Sequence, residues 1–171
     1  MNNREPTIAT TIRVLRTCRV ELADVDAHGV ARTATYLRWM EETEYGFLRS
    51  VGLSVSITDQ RGRLGFPRTH VAFAIRHPAK LDDCLTIELV SATPNGKTIR
   101  YEFQITRNRA TTGGTQDGVG IVEIATGQFT VACCRFPDDR LPYAVLIPDW
   151  IANRINGAAT VSNQQSSISN P

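Results

Sequence analysis

Asp24-Val25-Asp26-Ala27-His28-Gly29-Val30, with Tyr36-Leu37-Arg38-Trp39-Met40-Glu41 close behind, decides how the rest of the chain is read. Two acids, a histidine and a glycine stand between a segment with the two-residue period of a strand and one with the spacing of a helix. A carboxylate just ahead of a helix N-terminus lies beside backbone N–H groups that the helix itself cannot satisfy. Such donors can hold a polarised carbonyl while the carboxylate attacks it or activates water. The pattern suits acyl transfer.

Upstream, Ile12, Val14, Cys18, Val20 and Leu22 alternate with polar residues and predict a half-buried strand over Thr11 to Leu22. Downstream, Leu37, Met40, Phe47, Leu48 and Val51 share one face of a helix predicted from Thr35 to about Val51, with Gly52 as its stop. Glu41 and Glu44 fall on that same apolar stripe, which is unusual for carboxylates. Residues 53–68 read as an irregular connection. Strand-like segments follow at Thr69 to His77, Cys84 to Val90, Lys97 to Arg107 and Val119 to Phe136, the last with a bulge or bend expected at Gly127. A polar hairpin tip is expected over Asn108 to Gly118. Strand, helix and then four strands predict an α+β domain, one long helix wrapped by a curved antiparallel sheet. Residues 1–10 read as a flexible lead-in, 11–155 as a single domain, and 156–171 as a disordered tail rich in Ser, Asn and Gln. The sheet's exposed edge needs cover, which favours a dimer.

Composition narrows the function classes. With 171 residues, 42% hydrophobic, 21% charged and a net charge of +2, the chain has the make-up of an ordinary globular domain with no nucleic-acid groove. No apolar run approaches a membrane span or a signal peptide, so a cytoplasmic location is expected. Cys18, Cys84, Cys133 and Cys134 match no metal-binding spacing and read as reduced thiols. The absence of a Gly-x-Ser-x-Gly elbow and of a glycine-rich phosphate loop argues against a serine hydrolase and a nucleotide enzyme.

Residue by residue, Asp26 suits catalysis, with loop capping as the competing role. Asp24 suits turn shaping through side-chain to backbone bonds, and His28 suits an exposed loop position. Tyr36 and Trp39 suit core or interface packing, with an acyl pocket as the second role. Glu41 suits a pocket or a dimer interface. Arg61, Arg63, Arg68, Lys97 and Arg100 are candidates for pairing with phosphates.

The loop Asp24–Val30, the helix opening Ala34-Thr35-Tyr36-Leu37-Arg38-Trp39-Met40-Glu41 and the segment His77-Pro78-Ala79-Lys80-Leu81-Asp82-Asp83 together resemble the hotdog-fold acyl-CoA thioesterases. The similarity is greatest to the 4-hydroxybenzoyl-CoA thioesterase-like branch and runs over about residues 11–148. It implies a hotdog fold and hydrolysis of an acyl-CoA thioester to free acid and coenzyme A, without cofactor or metal. It implies Asp26 as the catalytic carboxylate, nucleophile or general base, and a polarising amide near Thr33. Gly29, Tyr36 and Glu41 complete the catalytic set it suggests, and the basic residues above would meet coenzyme A. It further implies a homodimer or homotetramer with the site at the subunit interface. Arg32-Thr33-Ala34 departs from relatives that carry a His or aromatic residue there, and His28 stands where a small residue is frequent. A thioesterase acting on carrier-protein-linked chains, as in polyketide release, and a non-catalytic acyl-binding hotdog protein are the alternatives.

Overall fold

The helix behind the acidic loop is α1, Thr33–Ser50. Tyr36, Trp39, Met40, Thr43, Phe47 and Leu48 recur at three- and four-residue steps and are all buried. The computed structural model describes residues 11–108 and 120–165, so the lead-in, nearly all of the polar hairpin tip and residues 166–171 lie outside the described residues. In chain order the strands are β1 (Thr11–Arg19), β2 (Ser56–Asp59), β3 (Gly62–Gly65), β4 (Arg68–Ile75), β5 (Cys84–Asn95), β6 (Thr98–Asn108), β7 (Ile121–Ala132), β8 (Cys134–Arg135) and β9 (Tyr143–Ala144). A second helix, α2 (Asp149–Gln165), follows.

β1-β5-β6-β7-β4 form one antiparallel sheet in that order. Side chains alternate across a strand, so Leu85, Ile87 and Leu89 of β5 and Ile99, Tyr101, Phe103 and Ile105 of β6 all reach the core. The α1 stripe supplies its other half. Burying a side chain of this size stabilises by about 1.5–3 kcal/mol, which makes the layer the dominant source of stability. Gly127, expected to mark a bulge, has a different cause. A Cβ there would lie 2.3 Å from the Sδ of buried Met40, so the glycine lets α1 approach β7. The register shift falls beside it instead: Ile105 faces Ala125 while Thr106 faces Glu123, leaving Ile124 as the extra residue.

Two expectations are corrected. Residues 53–68 are not wholly irregular, because β2 and β3 form a hairpin that joins β8 and β9 in a second sheet. Its anchor is remote in sequence. Arg135 donates to both carboxylate oxygens of Asp59 at 2.6 Å and to the Gly62 carbonyl at 2.8 Å. The segment after residue 155 is also not all tail. α2 begins after Pro148, buries Ile151 and Ile155 completely, packs on β1 and β5, and continues to Gln165. Proline-free sequence with Ala158 and Ala159 lets a helix already nucleated by packing propagate.

β4 is the sheet's outer strand beside β7. Phe73 packs against Tyr36 with ring centroids 6.2 Å apart, while Val71 and Ile75 are 38% and 41% exposed.

Candidate active site

The acidic loop is a small closed structure. Asp24 ends a 3₁₀ turn, Leu22–Asp24, and its buried carboxylate accepts the Glu21 N–H at 3.0 Å. Its carbonyl accepts the Arg32 N–H at 2.9 Å and the Thr35 hydroxyl at 3.0 Å, joining the start of the loop to the start of α1. Between these points Val25 bridges Ala31 and the Asp26 N–H donates to the Val30 carbonyl at 2.9 Å. Asp24 thus holds the structural role its position suggested.

Asp26 sits exposed at the turn. Its Oδ1 accepts two backbone donors, His28 N–H at 2.8 Å and Val30 N–H at 3.2 Å. Those bonds, the Val30 one foremost, hold its carboxyl below the usual carboxylate range, so it is ionised at neutral pH. Among the described residues its Oδ2 has no hydrogen-bond partner. Gly29 closes the turn at φ +72, where a side chain would be strained, and its N–H donates to the Asp26 carbonyl at 3.1 Å. Gly29 therefore shapes the loop. Its amide is occupied within the turn. His28 is exposed, and its backbone N–H is what serves Asp26.

Thr33 is the first residue of α1, and Arg32 in the N-cap position offers no side-chain cap. Arg32 N–H is bonded to Asp24 and Thr35 N–H to Arg32, which leaves the amides of Thr33 and Ala34 without a partner among the described residues. An open helix N-terminus with a partial positive charge results, following directly on the loop that bears the ionised Asp26.

The third motif joins the first two through backbone bonds. Ala31 N–H donates to the Ala79 carbonyl at 2.9 Å, Leu81 N–H to the Gly29 carbonyl at 3.1 Å, and Val30 bridges Lys80. Ala79 N–H donates to the Tyr36 hydroxyl at 2.9 Å. Tyr36 is fully buried, edge-on to Trp39 at 5.3 Å, and burial pushes its phenol up. It holds the Ala79 segment under the loop.

Glu41 and Glu44, odd on an apolar stripe, converge on Arg68, at 3.2 and 2.7 Å. Arg68 also lies over the Phe129 ring at 4.7 Å. It is thus engaged inside the domain. Arg100 is likewise tied to Gln128 at 2.6 Å and Glu102 at 2.9 Å. Arg61, Arg63 and Lys97 remain exposed and carry no ion pair among the described residues. The sequence reading missed three pairings: Asp24 with Arg38, Asp59 with Arg135, and Arg68 with the two glutamates. The four-residue spacing of Arg38 and Glu42, which pair at 3.0 Å, was the one local signal available. Among the described residues no cluster of potential metal ligands occurs, and no helix is long and apolar enough to cross a membrane.

A family model described as the thioesterase-like superfamily matches residues 20–155. The fold is similar to that of the 1,4-dihydroxy-2-naphthoyl-CoA thioesterase of Synechocystis (TM-score 0.64, 19% identity, 93% of this chain and 99% of that one). It is similar to the 4-hydroxybenzoyl-CoA thioesterase of Pseudomonas sp. strain CBS-3 (TM-score 0.64, 18% identity, 82% and 97%). It is also similar to the dynemicin thioesterase (TM-score 0.65, 16% identity, 85% and 96%), whose crystal structures concern polyene binding. No curated protein matches the sequence.

Proposed function

Because the chain belongs to the thioesterase-like superfamily, its reaction class is thioester hydrolysis, and we propose that it cleaves an acyl-CoA into free acid and coenzyme A with Asp26 as nucleophile. The observation that carries this reading is an ionised carboxylate with one free oxygen, in a loop clamped to an uncapped helix N-terminus. In the proposed reaction, Oδ2 attacks the thioester carbon while the carbonyl oxygen gathers charge against the Thr33 and Ala34 amides. One such donor is typically worth about 10²–10³ in rate. Collapse expels the coenzyme A thiolate and leaves a mixed anhydride on Asp26. Water then hydrolyses the anhydride, releasing the acid, restoring the carboxylate and supplying the proton the thiolate takes up. The lowered pKa keeps Asp26 in the ionised form that this attack uses.

The exposed Val71 and Ile75 of β4 support a second copy of the chain across this edge, in a homodimer or a pair of dimers. Arg61, Arg63 and Lys97 are proposed to meet the coenzyme A phosphates. They lie toward one end of the domain, since β3 pairs with β8 and the Lys97 carbonyl accepts the Cys133 N–H next to it. The proposed compartment is the cytoplasm, where the four free thiols stay reduced. A second reading is release of a carrier-protein-bound acyl chain by the same residues; the dynemicin thioesterase, of similar fold, is one whose crystal structures concern polyene binding.

The test is free-thiol release from benzoyl-, acetyl-, hexanoyl- and palmitoyl-CoA, beside benzoyl- and hexanoyl-carrier protein. Wild type should hydrolyse at least one CoA ester, and Asp26→Asn should lose at least about 10²-fold in kcat while keeping its Tm. An Asp26→Asn enzyme of full activity would disprove the assignment. Preference for the carrier-protein esters would select the second reading.

A further inference from the structure

The loop that carries Asp26 is held by a row of alternating charges that runs through α1. Arg16 on β1 pairs with Glu42 at 2.6 Å, Glu42 pairs with Arg38 at 3.0 Å, and Arg38 pairs with Asp24. The four side chains differ sharply in burial. Arg16, Glu42 and Arg38 are 34%, 33% and 48% exposed, whereas Asp24 is 8% exposed. Pairs this open add little to stability, so stability is a weak reason for the row to exist. The buried end is the informative one. Asp24 Oδ2 takes the Glu21 N–H, and Oδ1 has Arg38 as its counter-charge. Asp24 also holds, through its backbone carbonyl, both the Arg32 N–H and the Thr35 hydroxyl at the start of α1. One residue therefore fixes where the helix amides begin and where the turn bearing Asp26 leaves the strand.

We propose that Arg38 and Asp24 are positioning residues for thioester hydrolysis, with Arg38 acting as a two-pronged strut between Asp24 and Glu42 that sets Asp26 against the Thr33 and Ala34 amides. This inference rests on the assignment of Asp26 as the catalytic carboxylate. Without Arg38, a buried carboxylate loses its counter-charge and must swing toward water. Its carbonyl moves with it, releasing Arg32 N–H and Thr35 and displacing Asp26 two residues along. A shift of about 1 Å at the reacting groups can cost 10²-fold in rate. Arginine is required because its fork serves two carboxylates at once, through Nη1 and Nη2. A lysine keeps the charge as a single point.

The experiment measures kcat and KM on the fastest ester of the four-member CoA panel for wild type, Asp26→Asn, Arg38→Gln, Arg38→Lys, Glu42→Gln and Ile155→Val. Ile155 is a buried α2 residue, and its valine variant reports what a modest loss of Tm does by itself. Arg38→Gln should lower kcat about 10- to 100-fold with KM within twofold, Arg38→Lys should recover part of that loss, and Glu42→Gln should fall in the same direction by less. Ile155→Val should lose Tm and keep kcat. With Asp26→Asn inactive, a kcat within twofold of wild type in Arg38→Gln overturns the strut. A rise in KM at constant kcat, or an Ile155→Val enzyme that loses kcat in step with Tm, does the same. Should Arg38→Gln fail to fold, the partly exposed Glu42→Gln variant decides alone, and a kcat within 20% of wild type refutes the proposal. An active Asp26→Asn enzyme defeats the parent assignment instead, and the strut falls with it.

Discussion

Replacing Glu44 by glutamine should make the protein markedly more stable at pH 8 and only slightly more stable at pH 5. Glu44 is 3% exposed on the core side of α1, 2.7 Å from Arg68, with Glu41 on the other arm of the same guanidinium at 3.2 Å. Burial pushes its carboxyl from 4.5 up to about 7, Arg68 pulls it down, and Glu41 adds a smaller upward push. The fold therefore holds the Glu44 proton more tightly than the unfolded chain does. Stability from this group is complete below pH 4.5 and is lost as pH rises through 7. A rise from 4.5 to about 7, at roughly 1.36 kcal/mol per unit, corresponds to about 3 kcal/mol lost by pH 8. Glutamine reproduces the protonated form in shape and charge, can still accept from Arg68, and leaves Glu41 as the counter-charge. Urea unfolding of both proteins from pH 5 to pH 8 isolates the effect as a difference, since every other titrating group is shared. The gap should open from under about 1 kcal/mol at pH 5 to about 3 kcal/mol at pH 8, the latter roughly 6–12 °C in Tm. A gap that stays constant with pH, or a variant less stable than wild type at pH 8, would refute the reasoning.

Arg32→Asp sets stability against activity. An aspartate in the N-cap position should accept the Ala34 N–H and stabilise α1 by about 1 kcal/mol, partly offset by loss of the Arg32–Ala23 contact at 3.2 Å. It also brings a carboxylate to the amides proposed to receive the thioester oxygen, so kcat should fall at least about tenfold while Tm holds or rises; unchanged kcat would show that those amides do not face the substrate. Val71→Lys with Ile75→Lys introduces charge along the exposed β4 edge and should halve the mass seen by sedimentation and abolish turnover. Retained mass and activity would rule out this strand as the subunit contact.

What could be read from the sequence is what is local. α1, the buried alternation of β5 and β6, and the loop that ends in an open helix all follow from periods and turn chemistry within about twenty residues. The β2–β3 hairpin does not. Its strands have four residues each, and the group that secures it, Arg135, lies 76 positions from Asp59. The same holds for Arg68, a free basic residue by sequence but the partner of two glutamates in the fold. The oddity of two acids on an apolar stripe was visible. The arginine that answers it sits at the head of a different strand, brought in by topology.

The start of α1 shows how a small misreading of register bears on function. Thr33 and Thr35 both have the chemistry of an N-cap, and a helix starting at Thr35 would be a helix whose first donors are satisfied. The fold diverts them. Thr35 donates its hydroxyl to the Asp24 carbonyl 3.0 Å away, and so is held facing the loop as a donor. Thr33 becomes the first helical residue, and the cap position passes to Arg32, which has no oxygen to offer. The Thr33 and Ala34 amides are left without a partner among the described residues, after a loop whose Asp26 Oδ1 is occupied by its own turn. An uncapped N-terminus is a cost of about 1 kcal/mol for a helix that only has to be stable. For a helix that has to receive a developing negative charge it is the working part. The bond from Thr35 to the Asp24 carbonyl ties the first turn of this helix to the residue that also anchors the loop.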